Sequence, residues 1–298
     1  MPKLMQINVT ANWGSTGKIA ESIGVLAQKR GWNSYIIYGR DSNPSSSNLI
    51  KVGNVCNQYL HYGLQRIFDS EGLHSKHATR KLIKRIRRIE PDIIHLHNIH
   101  DHWINYPILF EYLNQTAIKV VWTFHDCWAF TGHCFHFVTK QCHKWKTQCY
   151  DCPLTHEYPN TIADSSIRNY RIKKDYFTGN QNLTIVACST WMANLVRESF
   201  LGDKKTIVIR NGVDLNVFRP ISREREHSCF RILAVSNVWN REKGYEDILK
   251  LRQLLPHIFE ITIVGLSDKQ IQLAEQLGIK GIGKLIDFLY FPDVKSNA

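Results

Sequence analysis

The stretch from Ile118 to Phe124 is a run of β-branched and aromatic residues that stops abruptly at His125-Asp126. A short apolar run of this kind, closed by polar residues, reads as a strand buried on both faces. A strand that ends on His-Asp delivers titratable groups to the carboxyl edge of a sheet. In open α/β sheets that edge is where ligands bind. The fold has to build outward from this strand.

The pattern recurs along the chain. Leu4–Thr10, Asn33–Gly39, Pro91–His100 and Leu183–Ser189 read as strands. Between them lie helical segments: one keeps Ile19, Ile23 and Leu26 in register, and others cover 54–90, 104–115 and 191–201. A polar loop, 41–48, follows the second strand. Such alternation predicts an α/β fold with a parallel, doubly wound sheet and right-handed crossovers. After a strand at 205–210 the chain passes Asn211-Gly212, Pro220 and a charged stretch, which reads as a linker. A second α/β series follows: strand 230–238, a turn through 239–244, helix 245–255, strand 259–265 and helix 269–278. The expected organisation is a first Rossmann-like domain over 1–208 carrying a Cys-rich insertion at 127–153, a linker over 209–222, and a second, incomplete Rossmann-like domain over 223–298. A chain of 298 residues is long enough for both.

Where strands hand over to helices, candidate ligand groups appear. Gly14-Ser15-Thr16-Gly17 opens the first helix, and free amides at a helix N-terminus favour phosphate; a tight turn with no ligand is the alternative. His95, His97 and His100, with Asn98, follow the Pro91 strand. They read either as cleft lining and core hydrogen-bonding groups or as metal ligands. Lys243-Gly244 sits at a strand-to-helix junction, where a lysine can neutralise a diphosphate.

The formal charge of +12 is partly local: Lys76–Asp92 carries seven Lys or Arg, interleaved with Leu82, Ile83, Ile86 and Ile89. That is one apolar helical face backed by a basic one. Solvent, an anionic membrane surface and nucleic acid are its three candidate partners, and no recognised nucleic-acid motif accompanies it. No stretch is apolar enough for a membrane span or a signal peptide, so a cytoplasmic protein is expected.

Eight cysteines without an export signal argue against a disulfide framework. Cys56, Cys188 and Cys229 read as small core residues. Cys134, Cys142, Cys149 and Cys152 form a C-x7-C-x6-C-x2-C series, with Cys127, His133, His136 and His143 close by. The four thiols read as a structural zinc site, as reduced core thiols or as disulfides. Four protein ligands would leave no open position for catalysis.

Several of these pieces together resemble the retaining glycosyltransferases of the two-Rossmann (GT-B) fold, family 4. They are the Gly14–Gly17 loop, the Pro91–Asn98 strand, the 122–134 segment with its later cysteines, the linker Ile209–Pro220 and Arg241–Gly244. The 122–134 segment is similar to a branch associated with bacterial surface-polysaccharide assembly. The resemblance implies transfer of a hexose from a UDP- or GDP-linked donor to a glycan or lipid-linked acceptor, with no cofactor required for catalysis. It implies that His125 contacts the sugar near the reacting carbon and that Lys243 stabilises the departing diphosphate, with Arg241 the nearest candidate for the usual companion arginine. Gly14, Ser15, Thr16 and Gly17 would lie near the donor phosphates, and His97, Asn98 and Asp126 would line the cleft. The basic face at 76–90 would rest on the inner face of the plasma membrane, where lipid-linked acceptors reside. The family also carries a spaced pair of glutamates that hold the donor sugar. No pair with that spacing follows residue 240, and 281–298 matches nothing expected of the family. The alternative is therefore a truncated, non-catalytic binding protein.

Overall fold

The computed structural model describes residues 1–220 and 230–284. The chain divides into two compact units, Met1–Val213 and Asp214–Ala298. The division falls inside 209–220, a stretch with turns but no strand or helix. Residues 221–229 and the terminal part of the unmatched 281–298 stretch, from 285 on, lie outside the described residues.

The first unit holds β1 (Lys3–Ile7), α1 (Gly14–Lys29), β2 (Asn33–Tyr38), β3 (Asn48–Lys51), α2 (Val55–Phe68), α3 (Lys76–Ile89) and β4 (Ile93–Leu96). It continues with α4 (Tyr106–Asn114), β5 (Lys119–Phe124), α5 (Ser166–Thr178), β6 (Leu183–Ala187), α6 (Thr190–Glu198) and β7 (Lys205–Val208). All seven strands pair in parallel, in the order β3-β2-β1-β4-β5-β6-β7. The order reverses between β1 and β4, and the carboxyl ends of those two strands form the switch point where doubly wound sheets take ligands. The central strands are buried as their apolar runs demand: Met5, Ile7, Ile94, Leu96, Phe124 and Ile185 lie in one core. Each such side chain contributes roughly 1.5–3 kcal/mol by leaving water.

Several helices start on side-chain caps. Asn54, Asn105 and Ser189 each accept from the backbone N–H three residues on, ahead of α2, α4 and α6. α3 buries Leu82, Ile83 and Ile86 as its spacing predicts. α1 forms where the spacing of Ile19, Ile23 and Leu26 predicts a helix, with Leu26 exposed and Gly17, Ala20 and Gly24 buried. A Cβ on Gly17 would stand 2.7 Å from Thr10 Oγ1, and one on Gly24 would stand 2.8 Å from Ser34 Oγ. The helix thus lies on the sheet through its backbone.

The short edge strand β3 falls at the end of the stretch read as a polar loop. α5, too polar to show a clear apolar stripe, buries Tyr170, Lys173 and Phe177. Cys56 is exposed on α2 and Cys188 is partly buried, so Cys56 is not a core residue. Cys229 lies outside the described residues.

The second unit holds β8 (Phe230–Val235), α7 (Tyr245–Leu254), β9 (Phe259–Leu266), α8 (Asp268–Gln276) and β10 (Lys280–Gly283). Its three strands form a parallel sheet in the order β10-β9-β8. Trp239, Tyr245, Ile261, Ile263 and Ala274 belong to its core. Among the described residues no helix is long and apolar enough to cross a membrane.

Candidate functional site

The carboxyl ends of β1, β4 and β5 bring four of the sequence-derived candidates together. His97, Asn98, His125 and Asp126 line one small cavity, floored by Trp122 and Trp128. His97 and Asn98 follow β4 directly, and His125 and Asp126 follow β5, so parallel pairing sets them side by side.

A chain of hydrogen bonds runs through this point from beneath. Gln6 on β1 is fully buried, and its Nε2 donates to the Ala20 carbonyl of α1 at 2.7 Å. Its Oε1 is then the acceptor, 3.2 Å from His97 Nε2. His97 Nε2 must therefore carry a proton. Burial above all, and then the neighbouring His95 and His125 rings, hold the His97 pKa well below its ordinary value, so the ring is neutral. Its Nδ1 is left with a lone pair, which faces His125 Nε2 at 3.2 Å. His125 Nε2–H is the donor there, and His125 Nδ1 keeps its lone pair for a ligand. Burial also lowers the His125 pKa, against the opposing pull of Asp126. A neutral imidazole of fixed tautomer, with an acceptor nitrogen to spare, suits a sugar hydroxyl.

Asp126 serves the frame. Its Oδ1 accepts from Trp128 N at 2.9 Å and its Oδ2 pairs with His100 Nε2 at 2.9 Å. Burial opposes both charges, but each holds the other: His100 is raised and Asp126 lowered. Of the three histidines that invited a metal reading, His95 hydrogen-bonds Thr123 Oγ1 at 2.8 Å, His97 joins the relay and His100 pairs with Asp126.

The Gly14–Gly17 loop reaches the same place through a residue not singled out in the sequence. Asn8 Oδ1 accepts from Asn98 N at 3.1 Å, while its Nδ2 lies 3.3 Å from Thr16 Oγ1. Gly14 and Ser15 are exposed, and no side chain caps α1. A second unanticipated cluster follows β4. His102 pairs with Glu71 at 3.0 Å and Asp101 at 3.1 Å, and Asp101 pairs with Arg40 at 2.7 Å. Burial opposes the His102 charge, but hydrogen bonds to both carboxylates overcome it and raise its pKa to about 9. Glu71 is some thirty residues from its partners in sequence, so only folding reveals the set.

Arg241 and Lys243 lie in the second unit, on a short turn after β8, both exposed. Asn240 Oδ1 accepts from Lys243 N at 3.0 Å, and Gly244, at φ 73°, leads into α7.

The cysteine-rich excursion after β5 is part of the main core. Trp128, Phe130, Phe135, Phe137 and Trp145 are all buried. Lys173 Nζ donates to the carbonyls of Trp128 and Thr131 at 2.7 and 3.0 Å, and His133 Nδ1 pairs with Asp69 Oδ1 at 2.7 Å. Cys134, Cys142, Cys149 and Cys152 line one small cavity, and all are free thiols. Cys134 and Cys152 hydrogen-bond each other, which brings Cys152 down to about 7, against burial. Gly132 N donates to Cys149 Sγ at 3.2 Å, yet burial still pushes that thiol up to about 12. Among the described residues, no three His, Cys, Asp or Glu side chains are already spaced as a metal site.

The model of the family described as Glycosyltransferase Family 4 matches residues 21–217. A putative colanic acid biosynthesis glycosyl transferase, WcaC, of Escherichia coli strain K12 is 24% identical over 226 residues, 71% of this chain and 55% of that protein. The chain thus spans about half the length of this curated relative. In fold it is similar to sucrose-phosphate synthase from Thermosynechococcus elongatus, with a TM-score of 0.65 at 14% identity over 100% of this chain and 74% of that one. It is also similar to WaaG, a glycosyltransferase involved in lipopolysaccharide biosynthesis, with a TM-score of 0.57 at 12% identity over 96% of this chain and 71% of that one. A third is Anabaena Alr3699/HepE, solved in complex with UDP and glucose, with a TM-score of 0.54 at 14% identity over 97% and 71%. At these identities the structural likeness speaks for the fold, which is the two-Rossmann GT-B fold.

Proposed function

The chain belongs to glycosyltransferase family 4, and from that membership we propose that it transfers a hexose from a UDP- or GDP-linked donor, with retention, to a glycan or lipid-linked acceptor in cell-surface polysaccharide synthesis. The observation that carries this reading is the Gln6–His97–His125 relay at the switch point, which presents one neutral imidazole nitrogen to a ligand. The similarity to a putative colanic acid transferase supports the polysaccharide class.

In this proposal the problem the protein solves is charge. As the glycosidic bond to the donor breaks, the nucleoside diphosphate gains negative charge. Lys243 and Arg241 take it up, aided by the uncapped amides at Gly14–Gly17, so the step calls for no divalent metal. His125 accepts a hydrogen bond from the donor sugar through Nδ1 and holds the reacting carbon in place. His97, Asn98 and Asp126 keep that ring and the cleft wall fixed. A structural zinc on Cys134, Cys142, Cys149 and Cys152 is a separate part of the proposal. The four cysteines line one cavity, although among the described residues no three such side chains stand at metal-site spacing. The setting is the cytoplasmic face of the plasma membrane, reached through the basic face of 76–90.

The test is release of nucleotide from a panel of UDP-, GDP- and dTDP-sugars by the purified protein, with Lys243→Ala and His125→Ala as controls. Release from one donor, lost in both variants, is expected. No release, together with no thermal shift from UDP or GDP, would sink the transferase reading.

A further inference from the structure

The carboxyl end of the edge strand β3 opens into a recess that has no part in the histidine site, from which β2 separates it in the sheet. Ile50 and Lys51 close the strand, Val52–Asn54 turn the chain with Gly53 at φ 72°, and α3 supplies the remaining wall through Ala78 and Leu82. The recess encloses about 340 Å³, against about 10 Å³ for the cavity of His97 and His125. That is the size of a small-molecule site.

Its charge is one-sided. His77, Lys81 and Arg85 stand four residues apart on α3 and so form one row along the helix, and Lys51 adds a further cation from β3. No acidic residue lines the recess, and among the described residues Lys51, Lys81 and Arg85 make no ion pair. Like charges four apart on a helix repel each other, and a bound anion offsets that. Lys84 and Arg88 of the same helix are exposed but lie outside the lining.

Asn57 asks for more than a bare anion. It lines the recess beside Gly53, and its Oδ1 is buried with no hydrogen-bond partner. Neighbouring Asn54 is engaged, its Oδ1 accepting from Asn57 N at 2.9 Å. A buried amide oxygen without a donor is costly, and a ligand hydroxyl supplies one. We propose that the recess binds a phosphate monoester of a hydroxyl-bearing small molecule, a sugar phosphate in size and chemistry. Its phosphate sits on Lys51, Lys81 and Arg85, and one hydroxyl donates to Asn57 Oδ1. Arg85 can engage two phosphate oxygens at once, while the lysines act as point charges. The inference is independent of sugar transfer and of any membrane contact by 76–90.

Binding of glucose 1-phosphate to the full chain is to be followed by calorimetric titration and thermal shift, with glucose and inorganic phosphate as probes of its two halves. Glucose 1-phosphate should bind more tightly than either, and less tightly as salt rises. Lys81→Ala with Arg85→Ala should weaken it roughly tenfold or more, and Asn57→Ala should bring it down to the level of inorganic phosphate. Lys84→Ala with Arg88→Ala should bind as the wild type does, and so should Lys243→Ala. An unchanged Tm of each ligand-free variant checks the fold. No binding of the ester at millimolar concentration would overturn the proposal. Equal loss in the Lys84 and Arg88 variant would overturn it by reducing the site to diffuse positive charge. Loss in Lys243→Ala would overturn it by moving the ester to the diphosphate contact of the second unit. Inorganic phosphate binding as tightly as the ester, with Asn57→Ala silent, would overturn it as well, leaving only an anion contact.

Discussion

Gln6 and His125 never touch, yet the orientation of the Gln6 amide determines which nitrogen of His125 carries the proton. The link is His97, 3.2 Å from each. Replacing Gln6 by Leu keeps the volume close but leaves His97 Nε2–H buried without an acceptor. The expected cost is roughly 1–3 kcal/mol of stability, measured by urea denaturation. With that acceptor gone, His97 can adopt the other tautomer and donate to His125 Nε2, which moves the His125 proton to Nδ1 and removes the lone pair offered to a ligand. Nucleotide release should fall about tenfold in kcat with little change in KM for the donor. Loss of stability with unchanged kcat would show that Gln6 is merely structural.

His102 gives the stability a pH signature. Its pKa rises from an unfolded value near 6.5 to about 9. The stabilisation is therefore fully present below pH 6.5 and is lost as pH climbs through 9. The span corresponds to on the order of 3 kcal/mol. Thermal melts across that window should show Tm falling with pH, and His102→Gln should flatten the slope. An equal slope in the variant would place the charge elsewhere.

Much of this architecture was legible in the chain because strands buried on both faces leave plain apolar runs. The strands around Met5, Ile94, Val120 and Ile185 were read in place, and so were the polar residues at their ends. The edge strand β3 was not, since an edge buries little and Asn48–Lys51 carries no alternation. The period of Ile19, Ile23 and Leu26 marked α1 as a helix but not its buried face, because this helix packs through residues that have almost no side chain. His97 and His125 were each read at the end of a strand, whereas the bond between them, Gln6, Asn8 and the Glu71–His102 pair depend on contacts some thirty to ninety residues apart. No local pattern carries that information.

The cysteine cavity separates two outcomes cleanly. A structural zinc predicts about one ion per chain by metal analysis of aerobically purified protein. Cys149→Ser should then lower both zinc content and Tm. Protein that is metal-free and titrates with thiol reagent at all four positions would rule the site out.

Asp69 holds the excursion from the other side. Its carboxylate takes His133 Nδ1–H at 2.7 Å and Ser165 N–H at 3.0 Å, with His133 itself buried. Asp69→Asn removes the charge but not the volume and should cost roughly 3 kcal/mol, since it strands a buried partner. Equilibrium unfolding with near-UV absorbance of the buried tryptophans reports it. A change under about 0.5 kcal/mol would mean solvent reaches the pair.

α1 rests on the sheet through Gly17, Ala20 and Gly24, and that seat has a reach beyond packing. The height of its first turn is set by atoms that are missing at the far end of the helix. A methyl group on Gly24 would meet Ser34 and Ser47 and act as a shim. It would tip Gly14 and Ser15 relative to Asn98 without altering one residue of the cleft. The aperture of this site is adjustable from behind, by changes that a map of ligand contacts would pass over.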